Sequence, residues 1–192
     1  MQGSNGNKNA AAGSQDIAQR RDFRYSYTMQ VLILGNELLR QKAQPVKNIG
    51  PEYLKIAEDL IEALRLQKGI GLAGPQVGLI ERIFVTHIEG DIPRVFINPS
   101  IIETSQETDK YEEGCLSIPG IYTDVVRPET VKVQAWNEKG RPFTVEASDI
   151  MARVILHEYD HLEGVLFIDR IPEQKRNRIL AKIEKAAAKQ RD

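Results

Sequence analysis

The sequence His157-Glu158-Tyr159-Asp160-His161 places two histidines four residues apart around a glutamate. On an α-helix, residues at this spacing lie one above the other on the same face, so both imidazoles can reach one metal ion. In the H-E-x-x-H pattern the imidazoles bind the metal and the glutamate transfers protons. The pattern therefore predicts a metal-binding helix with hydrolytic chemistry. The alternative is a pair of partly buried structural histidines on an amphipathic helix.

The residues around this pattern favour a helix over 149–166. Ser148 is suited to the N-cap, and Gly164 is suited to the helix end. Apolar residues recur at helical spacing before the histidines, at Ile150, Met151, Val154 and Ile155. The chain has only three histidines, and the third, His87, lies in a predicted strand and is interpreted as structural. Two of the three stand at metal-ligand spacing, which favours the metal site over the structural alternative.

Length and composition narrow the class of protein. A chain of 192 residues is long enough for one domain with a hydrophobic core and short for two. The net charge of −1 exerts no global attraction for nucleic acid, so we expect no specific DNA binding. No apolar run reaches the length of a membrane span, so no membrane partner is expected. A single cysteine, Cys115, excludes an internal disulfide framework and is typical of a reducing compartment.

Residues 1–20 are rich in Gly, Asn, Ser, Ala and Gln and have no hydrophobic periodicity. They are interpreted as a flexible tail or a vector-derived remnant, and residues 21–192 as a single domain. A secretory signal is unsupported because no apolar segment of the required kind is present. We expect a cytoplasmic protein, or an organellar one if the extension is a transit peptide.

Helices are predicted on both sides of the central part of the chain. Residues 31–46 suggest a short apolar strand, a turn and one or two helical turns before a proline break. A long helix is predicted from Pro51 to about Gln67, with Gly69 ending it. Its predicted apolar stripe consists of Leu54, Ala57, Leu60, Ile61 and Leu64.

A C-terminal helix is predicted over 172–190. The terminal segment 172–192 carries seven basic residues against three acidic ones, a local charge of +4 in a chain whose total is −1. A solvated helix face is the default interpretation. The alternative is a surface that contacts the RNA-rich ribosome.

The segment Gly69-Ile70-Gly71-Leu72-Ala73-Gly74-Pro75-Gln76-Val77-Gly78 cannot form a regular helix, because it holds four glycines and a proline. It is not a phosphate-binding loop, since the Gly-Lys-Ser/Thr ending is absent. It follows a predicted helix and precedes a strand, which is the reverse of a dinucleotide-binding turn. A lone amide, that of Gln76, in an otherwise apolar loop favours a binding role over a purely structural turn, because a buried amide needs a partner.

The periodicity after this loop is that of β-strands. Strands are predicted at 83–88, 94–98, 101–107, 122–126, 131–136 and 142–146, with a hairpin turn at 137–140. The sequence thus predicts an α+β fold. Its mainly antiparallel sheets would pack around the central metal-binding helix, with one helix at each end of the chain.

A hydrolytic zinc-type site usually has three protein ligands. The metzincin pattern requires a histidine six residues after His161, where this chain has Phe167. Glu184 is available as a third ligand, but it lies in the basic terminal helix. Cys115 is the better candidate, because Gly114 allows close approach of the chain and a dication lowers the pKa of a thiol.

Three segments, in this order and at these separations, resemble the three motifs of peptide deformylase: the glycine-rich loop at 69–78, Glu-Gly-Cys-Leu-Ser at 113–117 and His-Glu-Tyr-Asp-His at 157–161. The resemblance extends from about Val31 to Arg170, and the tail is similar to that of the bacterial class with a helical C-terminus. Two positions depart from the family pattern, with Gly74 where alanine is more common and Leu156 where glutamine often stands. Neither is a predicted ligand or the predicted base.

The resemblance implies removal of formyl from the N-terminal formyl-methionine of nascent polypeptides, with release of formate. The residues suit that chemistry. The predicted metal ligands are Cys115, His157 and His161, and Glu158 would take a proton from a metal-activated water and pass it to the leaving amine. Predicted oxyanion donors are the Gln76 amide and the Leu116 backbone N–H.

Substrate contacts are predicted at Gly71, where the peptide would lie as an added strand, and in an apolar pocket with Ile70 and Val154. Asp160 is expected to have a supporting role away from the metal. We expect one divalent metal per chain. The resemblance implies Fe²⁺ in cells, and the ligand types also accept Zn²⁺, Ni²⁺ or Co²⁺.

Two alternatives stay open at this point. A zinc peptidase would cleave ordinary, unformylated peptides. A non-catalytic, metal-stabilised domain would act only as a ribosome-associated binding module.

Overall fold

The computed structural model describes residues 29–189. The tail predicted for residues 1–20 lies outside that range. The helices are α1 (Glu52–Leu66), α2 (Asp149–Leu162) and α3 (Glu173–Lys189). The strands are β1 (Gly71–Ala73), β2 (Ile83–Thr86), β3 (Arg94–Thr104), β4 (Thr108–Cys115), β5 (Ile118–Pro128), β6 (Thr130–Trp136) and β7 (Pro142–Ser148).

The strands form two antiparallel sheets. One has five strands in the order β1-β2-β3-β6-β7, and the other is the β4-β5 hairpin. In the hairpin, Thr108 pairs with Pro128 at one end and Gly114 with Tyr122 near the other. Helix α2 contacts strands of both sheets. The predicted α+β fold, with antiparallel sheets around a central helix and a helix towards each end, is confirmed.

Helix α2 is buried on nearly all sides. Its apolar residues Ala152, Ile155, Leu156 and Leu162 pack in one cluster with Phe84, Phe96 and Val133 of the large sheet. Burial of one such large side chain stabilises the fold by about 2 kcal/mol. Ser148 precedes the helix in an extended conformation, and Gly164 follows it with φ of +72°. The helix therefore begins where the sequence predicts, but it ends at Leu162, just before the predicted stop at Gly164 and four residues short of the predicted range 149–166.

Helix α1 matches the predicted range within one residue at each end, but its buried face differs. Leu54, predicted in the apolar stripe, is 41% exposed, whereas Tyr53 is only 5% exposed. Tyr53 is buried because its hydroxyl donates a hydrogen bond of 2.8 Å to Glu81. Ala57, Leu60 and Leu64 are buried as predicted. A tyrosine with a polar partner can occupy the core, so aliphatic periodicity missed Tyr53 and wrongly included Leu54.

Two predictions about local structure are wrong. Residues 31–34 form no strand, although the chain there is tied to neighbouring segments by backbone hydrogen bonds. Residues 108–115 form strand β4, which the sequence did not predict because the segment is mostly charged and exposed. The predicted strands at 94–98 and 101–107 are one strand, β3, which pairs with β6 through register shifts.

The glycine-rich loop contains a short strand and a turn. Residues Gly71–Ala73 form β1 at the edge of the large sheet, and Gly74–Val77 form one turn of 3₁₀-helix.

Helix α3 packs Ile179, Leu180 and Ile183 against a third cluster formed by residues 166–171 with Ile118 and Val125. Between residues 29 and 189, no helix has both the length and the apolar character that a membrane span requires.

The end of α2 generates a prediction about glycine. A Cβ on Gly164 would lie 2.5 Å from the backbone oxygen of Arg40, and φ is +72°. Gly140 also has a positive φ, +70°, but a Cβ there would meet nothing closer than 3.8 Å. We expect Gly140→Ala to cost about 1 kcal/mol of unfolding free energy through backbone strain alone. Gly164→Ala should cost about 3 kcal/mol, because the clash adds to the strain. Urea unfolding measures both, and equal losses would contradict the role of the clash.

Candidate metal centre

Three side chains converge at one point between the two sheets. Cys115 Sγ, one ring nitrogen of His157 and one ring nitrogen of His161 all lie within 4.8 Å of one another. Cys115 Sγ is 3.2 Å from Nε2 of His161. A thiolate and two imidazoles at this separation form a donor set suited to a divalent transition metal. The residues therefore fit the metal that the sequence predicted, and no other cluster of three such donors occurs in the part of the chain that the structure describes.

Cys115 reaches the helix because it ends strand β4 at a tight hairpin. The register of the hairpin shifts between Gly114 and Cys115, so that Cys115 pairs with Ile118. A Cβ on Gly114 would lie 2.6 Å from the ring of Tyr122. Glycine at this position lets the Tyr122 ring cover the backbone next to the thiol, since any side chain would displace it.

A buried carboxylate orients the first histidine. Nδ1 of His157 donates to Glu113 Oε2 at 2.9 Å, which leaves Nε2 for the metal. The same carboxylate accepts hydrogen bonds from Nε of Arg127 at 2.6 Å and from Arg153 at 3.1 Å. Glu113 is therefore held from three sides.

The network continues to the far side of the helix. Arg127 also donates to Asp160 at 2.8 Å, and Asp160 accepts from Arg170 as well. Among the described residues, Asp160 forms no hydrogen bond with Cys115 or with His161. It joins the helix to the segment that leads into α3, a supporting role like the one expected from the sequence.

Burial and hydrogen bonding move the pKa values at this centre in opposite directions. Burial would raise the pKa of Glu113, but hydrogen bonds from His157 and Arg127 outweigh it and hold the pKa well below its usual range. Burial would lower the pKa of His157, but hydrogen bonds to Cys115 and Glu113 raise it to about 10. Burial lowers the pKa of His161 well below its usual value. Metal binding must therefore displace a proton from His157, so metal affinity depends on pH.

The surroundings of Glu158 raise its pKa, whereas those of Glu113 lower it. It is 3% exposed, and its Oε2 atom has no hydrogen-bond partner among the described residues. Burial raises its pKa to about 7, above the ordinary value of 4.5. A buried carboxylate of raised pKa that lines a cavity is typical of an acid–base group.

Gln76 is held with its NH₂ group towards the centre. Its Oε1 accepts from the backbone N–H of Ala73 at 2.8 Å. Its Nε2 donates to Ser117 Oγ at 3.2 Å and lies 3.5 Å from Cys115 Sγ. The amide thus presents a donor beside the metal ligands, which is the orientation that an oxyanion partner needs.

A cavity of about 620 Å³ opens onto the centre. All the predicted catalytic and substrate-binding residues line it: Ile70, Gly71, Gln76, Leu116, Val154 and Glu158. So do two of the predicted metal ligands, Cys115 and His157. A neighbouring cavity of about 530 Å³ contains none of the predicted ligands. The structure thus brings the residues predicted from three separate segments together around one cavity.

Sequence reasoning missed the buried charges around the centre. Glu113 was noticed only as part of a motif, and neither Arg127 nor Arg153 was singled out. One signal was available. Arg153 stands four residues before His157, within the otherwise apolar run 150–156 of a predicted core helix, and an arginine there requires a buried acidic partner.

The network predicts that Glu113→Gln will weaken metal retention roughly 100-fold, because His157 loses the acceptor that orients it. The variant should also lose about 3 kcal/mol of unfolding free energy, since two buried arginines lose a charged partner. Chelator competition and urea unfolding measure these effects. Glu112→Gln removes an exposed carboxylate next to it and serves as the matched control. Equal metal retention in the two variants would contradict the orienting role.

Comparison with known proteins identifies the family. Residues 28–177 match the family described as polypeptide deformylase. The chain is 48% identical over 154 residues to the peptide deformylase of Borreliella burgdorferi, covering 79% of this chain and 93% of the relative. It is 45% identical over 159 residues to that of Neisseria meningitidis, covering 82% and 95%.

Solved structures agree with the sequence comparison. A peptide deformylase from Synechococcus elongatus in complex with actinonin superposes with a TM-score of 0.77 at 41% identity, covering 82% of this chain and 87% of that chain. The structure from Thermotoga maritima superposes with a TM-score of 0.74 at 40% identity, covering 76% and 99%. The chain therefore belongs to the peptide deformylase family, enzymes that remove the formyl group from N-terminal methionine.

Proposed function

We propose that this enzyme is a metal-dependent hydrolase in which Glu158 transfers the protons as formyl is removed from nascent formyl-Met polypeptides and formate is released. The observation that carries the proposal is the buried Glu158 carboxylate. It has a free oxygen among the described residues and lines the same cavity as Cys115 and His157.

The metal would be held by Cys115, His157 and His161. When bound, a divalent ion supplies Lewis acidity, which lowers the pKa of a water molecule and polarises a carbonyl oxygen. We propose Fe²⁺ as the ion in cells, with Zn²⁺, Ni²⁺ or Co²⁺ as substitutes. The soft thiolate and the two imidazoles support this set of metals without selecting one.

Glu158 is placed to hold and move one proton. As the carboxylate it accepts a proton from the attacking water, and as the acid it returns the proton to the amine that leaves. Its raised pKa of about 7 suits both directions of transfer near neutral pH.

The Gln76 amide and the Leu116 backbone N–H would donate to the oxygen of the formyl group as its carbon becomes tetrahedral. The NH₂ group of Gln76 already faces Cys115, and Leu116 lines the same cavity. Donors held in place before reaction stabilise the developing charge without reorganisation.

The substrate would lie along β1. This strand is at the edge of the large sheet, and Gly71 in it lines the cavity. A peptide can pair with such an edge as an added strand. Ile70, which is 42% exposed, and Val154 would form part of the apolar pocket for the methionine side chain.

We propose the ribosome as a partner of helix α3. Lys175, Arg178, Lys182 and Lys185 are all exposed, and their spacing places them on one face of the helix. The apolar residues Ile179 and Ile183 pack against the domain instead. A basic face left in solvent supports binding to ribosomal RNA by electrostatic attraction.

The role of Glu158 is tested by Glu158→Gln, which keeps the shape of the side chain and removes its basicity. We expect formate release from formyl-Met-Ala-Ser to fall by roughly 1,000-fold or more, while one equivalent of metal is retained. Metal analysis on the same anaerobic preparation identifies the ion. Unchanged turnover would rule out Glu158 as the acid–base group. Turnover of unformylated Met-Ala-Ser would favour the peptidase alternative.

The role of Gln76 is tested by Gln76→Ala. We expect kcat to fall by roughly 100-fold, about 3 kcal/mol of transition-state stabilisation. We expect only small changes in KM and in the thermal midpoint of unfolding. A rise in KM with unchanged kcat would show that the amide binds the ground state and the transition state equally.

The ribosome proposal is tested by charge reversal in Lys182→Glu/Lys185→Glu. We expect co-sedimentation with ribosomes to weaken, and more strongly at low salt, while turnover of formyl-Met-Ala-Ser is unchanged. Lys47→Glu/Lys139→Glu makes the same charge change at two exposed positions outside α3. Equal sedimentation of the two double variants would show that α3 packs against the domain and does not bind the ribosome.

A further inference from the structure

A short segment outside the three motifs connects the two loops of the active site. The N–H of Leu32 donates to the backbone oxygen of Gln76 at 2.7 Å. The N–H of Leu34, two residues later, donates to the backbone oxygen of Ser117 at 2.8 Å. Gln76 and Ser117 are 41 residues apart in the chain, and their side chains also form a hydrogen bond.

The segment is anchored in two separate clusters of the core. Val31 is buried with Leu72 in the cluster that includes α1. Leu34 packs on the third cluster, beside Cys115 and Ile118. Ile33 between them is 48% exposed, and its N–H forms no hydrogen bond within residues 29–189. The segment therefore alternates between bonded and solvent-facing residues, as an extended chain does.

The two loops carry groups that must act on the same substrate atom. One loop carries the Gln76 amide. The other carries the Cys115 thiol and the Leu116 N–H, immediately before Ser117. In an extended chain, N–H groups two residues apart are separated by about 7 Å. Two carbonyls bound to the same short segment are thus held at a defined backbone separation, in addition to the side-chain hydrogen bond between Gln76 and Ser117.

We infer that residues 32–34 are a positioning segment, which sets the distance between the Gln76 donor and the Cys115–Leu116 side of the active site. This inference rests on the proposed function of those groups. Leu32 and Leu34 act through their backbone N–H groups and touch neither substrate nor metal. A misplacement of about 1 Å between reacting groups can cost roughly 100-fold in rate, so the segment bears directly on kcat.

Proline at residue 34 removes the N–H with little local strain. Leu34 and Gly35 are the central residues of a turn closed by a hydrogen bond of 3.1 Å from Asn36 N–H to Ile33 O. Gly35 has φ of +107°, and proline is favoured at the position before such a glycine in a type II turn. Leu34→Ala is the side-chain control, since it keeps the N–H. Ile33→Pro is the backbone control, since it restricts the same segment without removing a hydrogen bond.

Each variant is loaded with Co²⁺ and measured for bound metal, for the thiolate-to-cobalt absorption band, for thermal midpoint, and for kcat and KM on formyl-Met-Ala-Ser. We expect Leu34→Pro to bind one equivalent of Co²⁺ with a shifted band, and to lower kcat by at least tenfold relative to Leu34→Ala. Ile33→Pro should match the wild type in band and in kcat.

Leu32→Pro provides the second variant, including the case in which Leu34→Pro does not fold. It removes only the hydrogen bond to the backbone oxygen of Gln76, so kcat should fall by a similar factor while the cobalt absorption band stays unchanged. Leu32→Ala is its side-chain control. The inference is overturned if Leu34→Pro and Leu32→Pro lower the thermal midpoint but keep the kcat of Leu34→Ala and Leu32→Ala. Wild-type protein that binds Co²⁺ but releases no formate would instead overturn the proposed function.

Discussion

The Glu113 carboxylate is the group on which the rest of the active site depends. It lies between His157 on the helix and Arg127 on β5, and it also accepts from Arg153. Two separate elements are thereby tied to one another by charged hydrogen bonds in the interior. Such a network contributes little net stability compared with apolar packing, because desolvation offsets most of the attraction. Its value lies in geometry, since the imidazole can take only one orientation and one tautomer while the carboxylate is in place.

Two neighbouring buried glutamates have opposite properties for physical reasons that the structure makes plain. Glu113 is surrounded by cationic donors, which stabilise its charge and lower its pKa. Glu158 is equally buried, but one of its oxygens has no hydrogen-bond partner within residues 29–189, so burial raises its pKa. One carboxylate is therefore fixed in its charged form, while the other can exchange a proton near neutral pH. The backbone at Gly71 lies so close to Glu158 that a Cβ there would be 2.3 Å from Oε1. The absence of a side chain at residue 71 thus leaves room for the Glu158 carboxylate.

The sequence predicted the α+β fold, the start of α2 and the family, because each rests on local spacing. The two histidines share a face by helical periodicity, and the turn residues Ser148 and Gly164 mark the ends of the helix. Strand β4 was missed, since its residues are charged and largely exposed and it is stabilised by pairing with β5. Tyr53 was missed from the buried face of α1 because the hydrogen bond between Tyr53 and Glu81 joins residues that are distant in the chain. Hydrophobic periodicity carries no information about such a partner.

The sequence by itself determined which residue types the centre has and which of them share a helix. Only the tertiary structure decided how the segments meet. The approach of Cys115 to the histidines depends on the hairpin register after Gly114, and the pKa of Glu158 depends on burial in the folded chain. The hydrogen bonds from residues 32–34 to Gln76 and Ser117 use backbone atoms, which every residue except proline presents alike. Long-range contacts of that kind leave no pattern in the order of side chains, so their positions become visible only in the folded chain.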